Sequence, residues 1–199
     1  MNFLEAVMGQ PVIYRLWMAP FAEQKFTPIS AHNDLSRTRR VLDVGCGPGT
    51  NAGHFAHTDY LGIDWNARYI ESARRRHKGR FLVADAETLV VPPGEGFDFI
   101  LANSLLHHID LTATKRLLAH LSGLLTDDGH IHIVELVLPP RSGIPYALAR
   151  SDRGRFSRPS EEWRSIFSEL FQPVVFEPFS LSVAGVELWN MVYFKGSAR

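Results

Sequence analysis

The segment Val41-Leu42-Asp43-Val44-Gly45-Cys46-Gly47-Pro48-Gly49-Thr50-Asn51 passes from an apolar run through an acid into three closely spaced glycines. Glycine tolerates positive φ and lets the backbone approach a ligand closely. In an open α/β sheet, the crevice beyond the carboxyl end of such a strand is where ligands bind. Dinucleotide sites favour Gly-x-Gly-x-x-Gly, with the pyrophosphate resting on a helix N-terminus. Here the glycines fall at 45, 47 and 49, immediately after Asp43. A carboxylate in that place repels a pyrophosphate and attracts an ammonium or sulfonium group, directly or through water. The Gly-Lys-Ser/Thr of a phosphate-binding loop is also missing. The turn suits a positively charged ligand without phosphate.

Two further acids close apolar runs. Asp64 ends Tyr60-Leu61-Gly62-Ile63-Asp64, about 20 residues beyond the glycine turn, where a carboxylate can accept both hydroxyls of a ribose. The plainer role for Asp64 is a helix cap, because Trp65-Asn66-Ala67 opens a helical stretch. Asp85 follows Phe81-Leu82-Val83-Ala84 and could accept a hydrogen bond from an adenine amine, or simply terminate a strand. The fourth run, Phe97–Ala102, leads into Asn103-Ser104-Leu105-Leu106-His107-His108. A histidine titrates near neutrality and can act as a general base towards a hydroxyl. His107 and His108 are therefore candidate catalytic residues, with a structural role as the alternative.

These residues need strands that end together, and the sequence supplies them. Strands are expected over Val41–Gly45, Tyr60–Asp64, Phe81–Ala84, Phe97–Ala102 and His130–Leu138. Helical stretches lie between them at Asn51–His57, Asn66–His77 and Leu111–Leu125. Repeated β-α-β units imply a mostly parallel sheet with helices on both faces, a Rossmann-like three-layer sandwich. After a helix over Pro159–Phe171, the runs Val174–Leu181 and Val186–Lys195 read as a hairpin through Ser182–Gly185. Pro178 marks the first as an edge strand, while the second is apolar on both faces. The seven-stranded sheet should thus end antiparallel, with its last strand inside its predecessor.

Residues 1–38 form a separate N-terminal helical lid segment, with Tyr14, Trp17 and Phe21 able to close over the site or to pack on the core. The domain proper is then 39–199, with 139–158 as an inserted Pro/Gly/Arg-rich loop. Arg153 in that loop is a candidate contact for an acidic substrate group. The 21 basic and 21 acidic residues balance, which argues against a general nucleic-acid or anionic-membrane binder. One cysteine, no signal-like N-terminus and no long apolar run make a cytoplasmic protein the default. No metal site is expected, and oligomeric state is left open.

In their order and spacing, Val41–Asn51, Tyr60–Ala73, Phe81–Leu89, Phe97–Ile109 and Leu124–Leu138 resemble the class I S-adenosylmethionine-dependent methyltransferases. The resemblance implies that Gly45, Cys46, Gly47 and Gly49 line the methionine part of the cofactor, with Asp43 near its amino group. It implies that Asp64 holds the ribose, Trp65 flanks the adenine, and Asp85 with Ala86 binds the adenine edge. Asn103 would face the methyl-bearing sulfur. The Asn-Pro-Pro-Tyr motif of enzymes acting on amide or ring nitrogens is missing, so a small-molecule oxygen or carbon acceptor is expected. The competing readings are a non-catalytic cofactor-binding module and, less well supported by the glycine spacing, an NAD-dependent oxidoreductase.

Overall fold

A computed structural model describes residues 11–92, 94–152 and 154–199, with side chains from residue 20 onward. Its elements are α1 (Pro11–Ala31), β1 (Arg40–Val44), β2 (Asp59–Asp64), α2 (Ala67–Arg76), β3 (Arg80–Val83) and β4 (Phe97–Asn103). They continue with α3 (Leu111–Ser122), β5 (Leu125–Leu136), α4 (Ile144–Ser151), α5 (Ser160–Leu170), β6 (Phe171–Val183) and β7 (Val186–Ala198). The seven strands form one sheet in the order β3-β2-β1-β4-β5-β7-β6. Strands β1 to β5 run parallel, and β7 pairs antiparallel with both β5 and β6. No helix among the described residues is long and apolar enough to cross a membrane.

Alternation along the central strands sends side chains into two cores, one on each face. Leu42, Val44, Leu61, Ile63, Ile100 and Ala102 face α3 and α5, joining Leu117, Leu118, Trp163 and Phe167. Val41, Tyr60, Phe99 and Leu101 face the other way, with Phe26 and Ile29 of α1 and Ile70 and Ala73 of α2. Burial on both faces is what continuous apolar runs provide in a parallel sheet. The helices start where their caps dictate. Asn66 Oδ1 accepts from the Arg68 N–H (3.0 Å) and Asp110 Oδ1 from the Ala113 N–H (2.8 Å).

The hairpin has the arrangement expected from the sequence. Edge strand β6 holds Pro173 and Pro178, and β7 lies inside it. Ala184 (φ 50°) and Gly185 (φ 79°) make a two-residue turn with positive φ at both positions, matching the twist of the flanking strands.

Three expectations need correction. Asn51–His57 forms only a short 3₁₀ turn, Ala52–Phe55, because Gly53 within it disfavours a longer helix and the Asn51 side chain is engaged elsewhere. Strand β5 begins at Leu125 rather than His130: α3 ends at Ser122, and a pairing irregularity opposite Phe97–Phe99 absorbs Asp127-Asp128-Gly129. The 139–158 connection contains helix α4, with Pro145 in its first turn, where its missing N–H costs nothing.

Candidate functional site

The glycine turn leaves β1 with Gly45, Gly47 and Gly49 at φ 69°, 55° and 81°. Other residues adopt these angles only under strain, so the backbone shape itself requires glycine here. The Gly47 N–H donates to Asp64 Oδ2 (3.0 Å), and the Asn66 N–H donates to Asp64 Oδ1 (2.8 Å). Asp64 is thus fixed at the tip of β2 and serves the cap geometry as well. Each carboxylate oxygen retains a second lone pair for a ligand. Burial raises its pKa, and the two backbone donors pull in the opposite direction.

Asp43 lies deeper than its expected role suggested. It is fully buried, with Oδ2 accepting from Tyr60 Oη (2.7 Å) and Asn51 Nδ2 (3.2 Å). Burial pushes its pKa up to about 6, while the Tyr60 and Asn51 hydrogen bonds oppose the rise. Its Oδ1 has no hydrogen-bond partner among the described residues. Asn51 in turn accepts from Asn103 Nδ2 (3.4 Å), and Asn103 Oδ1 accepts from Ser104 Oγ (3.2 Å). A polar chain therefore joins the ends of β1 and β4. Ser104 has φ 56°, a conformation that non-glycine residues adopt mainly where surrounding structure enforces it.

A pocket at this point is lined by Ala22, Lys25, Gly45, Cys46, Thr50, Asn51 and Asn103. Cys46 is buried and its thiol is pushed up in pKa, so it lines the turn as a small apolar group. Trp65 stands 87% exposed beyond Asp64. Asp85 is exposed on the loop after β3, where Oδ1 accepts from the Glu87 N–H (2.9 Å); Ala86 packs partly against the core. Of the expected cofactor contacts, Gly45, Cys46 and Asn103 line the pocket, Asp43 is joined to it through Asn51, and Asp64 is joined to Gly47. Gly49 lies against Ala73 and His77, while Trp65, Asp85 and Ala86 follow β2 and β3. The side chains of Tyr14 and Trp17, and all of Arg153, lie outside the described residues.

His107 and His108 follow β4 on the 3₁₀ turn Leu106–His108. His107 is buried, with Nδ1 against Glu135 Oε1 and Nε2 3.2 Å from Asp152 Oδ1. Burial alone would lower its pKa, but the two carboxylates outweigh burial and hold it up at about 9. Both partners respond: Glu135 lies below its usual range, and Asp152 is lowered to about 2, despite burial. Neither ring nitrogen of His107 is available to take a proton at neutral pH. His108 is exposed beside it, with ring centres 4.1 Å apart. Ligand atoms of His107, His108 and Asp152 all lie within 4.8 Å of one another, with His107 already held by carboxylates.

The motifs did not disclose Lys25, Ser104, Glu135 or Asp152. Glu135 left a trace, an acid inside the otherwise apolar run Ile133–Leu138. Lys25 left none, since its helix has no acidic first turn and a weak apolar pattern.

Residues 41–129 match the family model described as a methyltransferase domain. An uncharacterised methyltransferase of Mycobacterium tuberculosis is 35% identical over 132 residues, which cover 63% of this chain and 66% of that protein. The match thus spans slightly under two thirds of that relative's length. A trans-aconitate 2-methyltransferase of Methylobacterium radiotolerans is 27% identical over 184 residues, covering 87% of this chain and 69% of the relative. Among solved structures, an S-adenosylmethionine-dependent methyltransferase of Methanosarcina mazei superposes with TM-score 0.70 at 18% identity, covering 86% of this chain and 97% of that one. With the glycine turn, the acid at the tip of β2 and the inserted final strand, these likenesses support a methyltransferase domain over residues 41–129 on the fold of the S-adenosylmethionine-dependent enzymes.

Proposed function

We propose that this protein transfers a methyl group from S-adenosylmethionine to an oxygen of a small organic molecule, by direct displacement. The observation that carries the reading is Asp64, held by the Gly47 and Asn66 N–H groups over a turn of three positive-φ glycines. The donor chemistry fits the crevice: a buried Asp43 with an uncommitted oxygen and a carboxylate at the tip of β2 favour a cationic ligand without phosphate. When bound, the cofactor supplies a methyl group already activated on a sulfonium.

The protein's task is then mainly to align acceptor and methyl group, and alignment alone can supply several kcal/mol. Asn51, Asn103 and Ser104 form a pre-oriented polar wall at the strand ends. Helix α1 borders the pocket through Ala22 and Lys25, and we assign the acceptor side to this helix. His107 acts by fixing the loop after α4, rather than as a base. The oxygen acceptor is supported by a relative named as a fatty-acid O-methyltransferase, and an acidic acceptor also by the relative named for trans-aconitate. A carboxylate acceptor is ionised at neutral pH and requires no proton removal.

Incubation of the purified protein with methyl-labelled S-adenosylmethionine and a panel of small organic acids and alcohols tests the assignment. Label recovered in a methyl ester or ether supports it. Label only in an N-methyl product would overturn the oxygen assignment, and stabilisation by NAD with none by S-adenosylhomocysteine would overturn the cofactor.

A further inference from the structure

Lys25 is a buried cation without a counter-charge in contact. It is 8% exposed, lines the pocket, and its Nζ donates to Ser104 Oγ at 2.7 Å. An ammonium has three protons to donate. Among the described residues no other hydrogen-bond acceptor and no ion-pair partner is found for it; Glu135 and Asp152 act on it only through longer-range attraction. Burial pushes its pKa down to about 8, and those two acids recover part of the fall. At neutral pH it is still mostly charged, an arrangement that is unfavourable unless something completes it.

Ser104 cannot complete it. Its hydroxyl proton goes to Asn103 Oδ1, the Asn103 amide donates to Asn51, and the Asn51 amide donates to Asp43. Every donor in this chain points away from Lys25, so the serine offers a neutral lone pair and no charge. What remains is ammonium capacity at a pocket wall that also includes Gly45, Asn51 and Asn103. The buried acids Asp43 and Asp64 nearby make a doubly charged phosphate a poor occupant, while a single carboxylate is matched by one lysine.

We propose that Lys25 is a carboxylate-recognition residue of the methyl-transfer crevice, completing its coordination with an anionic group brought in by a ligand. This rests on the crevice being a methyltransferase site. Two carboxylates could arrive there: the amino-acid end of the cofactor, or the acid group of the acceptor.

Titration calorimetry on the full chain distinguishes them, comparing wild type with Lys25→Met and Lys25→Gln. Glutamine retains a donor to Ser104 without the charge, and folding of both variants is checked by thermal unfolding. The probes are S-adenosylhomocysteine, 5′-methylthioadenosine (the same nucleoside thioether without the amino-acid end), and succinate or citrate added to the S-adenosylhomocysteine complex. If Lys25 holds the cofactor, both variants lose tenfold or more in affinity for S-adenosylhomocysteine and nothing for methylthioadenosine. If it holds the acceptor, both nucleosides bind unchanged and the organic acids lose tenfold or more. Variants that bind all probes like wild type would overturn the proposal. Wild-type protein that binds neither nucleoside would overturn the methyltransferase reading and the role of Lys25 with it. Since a buried lysine tie to Ser104 that served only the fold would lower the melting temperature on removal, binding loss at an unchanged melting temperature marks recognition.

Discussion

Glu135 holds His107 from β5 with one carboxylate oxygen and the Leu106 N–H (2.7 Å) with the other, so strand and turn are clamped through one buried acid. The Leu136 N–H adds a further donor to the same carboxylate at 2.7 Å. On its far side His107 meets Asp152, and the Phe156 N–H donates to the His107 carbonyl (3.0 Å). The turn that ends β4 thus anchors the loop after α4, and the loop's position depends on a charge.

Glu135→Gln should destabilise the protein by about 3–5 kcal/mol, the scale of leaving one member of a buried pair uncompensated. Chemical denaturation at pH 7 measures it. A loss under 1 kcal/mol would mean that His107 is not held as a cation.

The same pair gives stability a defined pH dependence. The folded pKa of His107, about 9, exceeds its ordinary 6.5, so the folded state binds the extra proton. Its contribution is complete below pH 6.5 and is lost as pH rises through 9. Asp152 acts with the opposite sign: its folded pKa of about 2 lies below 3.8, so its contribution is present above pH 3.8 and disappears as pH falls through 2. Unfolding free energy measured from pH 6.5 to 8, below the range where the lowered pKa of Lys25 acts with the opposite sign, should decline in wild type. In Glu135→Gln the decline should shrink.

A methyl group at position 154 would lie 2.0 Å from His107 Cδ2 and 2.6 Å from the His107 carbonyl oxygen. Gly154→Ala should therefore displace the loop and cost about 1–3 kcal/mol, the usual scale of overpacking. Denaturation curves measure the loss. Because no hydrogen bond among the described residues joins this loop to Asp64 or the glycine turn, affinity for S-adenosylhomocysteine should fall less than threefold.

Asp64→Ala should weaken S-adenosylhomocysteine binding by about 1–3 kcal/mol, as expected for losing hydrogen bonds to a charged group. Asp85→Ala, at an exposed loop position, should cost less. Calorimetric titration of the two variants side by side tests this order, and the reverse order would move the nucleoside away from β2.

His108→Ala should lower kcat less than tenfold if the acceptor is an ionised acid. Removal of a working general base costs about 10²–10⁴. A loss of that size, with nucleoside affinity intact, would assign His108 the proton and point to a hydroxyl acceptor.

The sheet was readable because two periodicities agree with its burial: continuous apolar runs for β1, β2 and β4, and a proline-bearing run beside an apolar one for the hairpin. Local rules failed where distant contacts decide. Asn51 reads as a helix start, yet its side chain bonds Asp43 and only the 3₁₀ turn Ala52–Phe55 follows. Asp127-Asp128-Gly129 looked like a turn between elements, yet pairing with β4 draws it into the irregular start of β5. At the site, the glycine turn and Asp64 were legible because backbone geometry demands those residue types. Lys25 and Asp152 were not, since they reach the pocket and His107 respectively from remote segments and owe their character to burial and charge that no local pattern encodes.

The position of β7 bears on how the protein is made. On the edge turned away from β4, residues 131–136 of β5 pair with β7, and β6 has β7 as its strand neighbour. During synthesis the open edge of β5 must wait for residues 191–196 to emerge, with β6 already formed and unpaired. Assembly is therefore not vectorial: the nascent protein exposes a bare strand edge until β7 is available, and it is most exposed to mispairing with other chains during that interval.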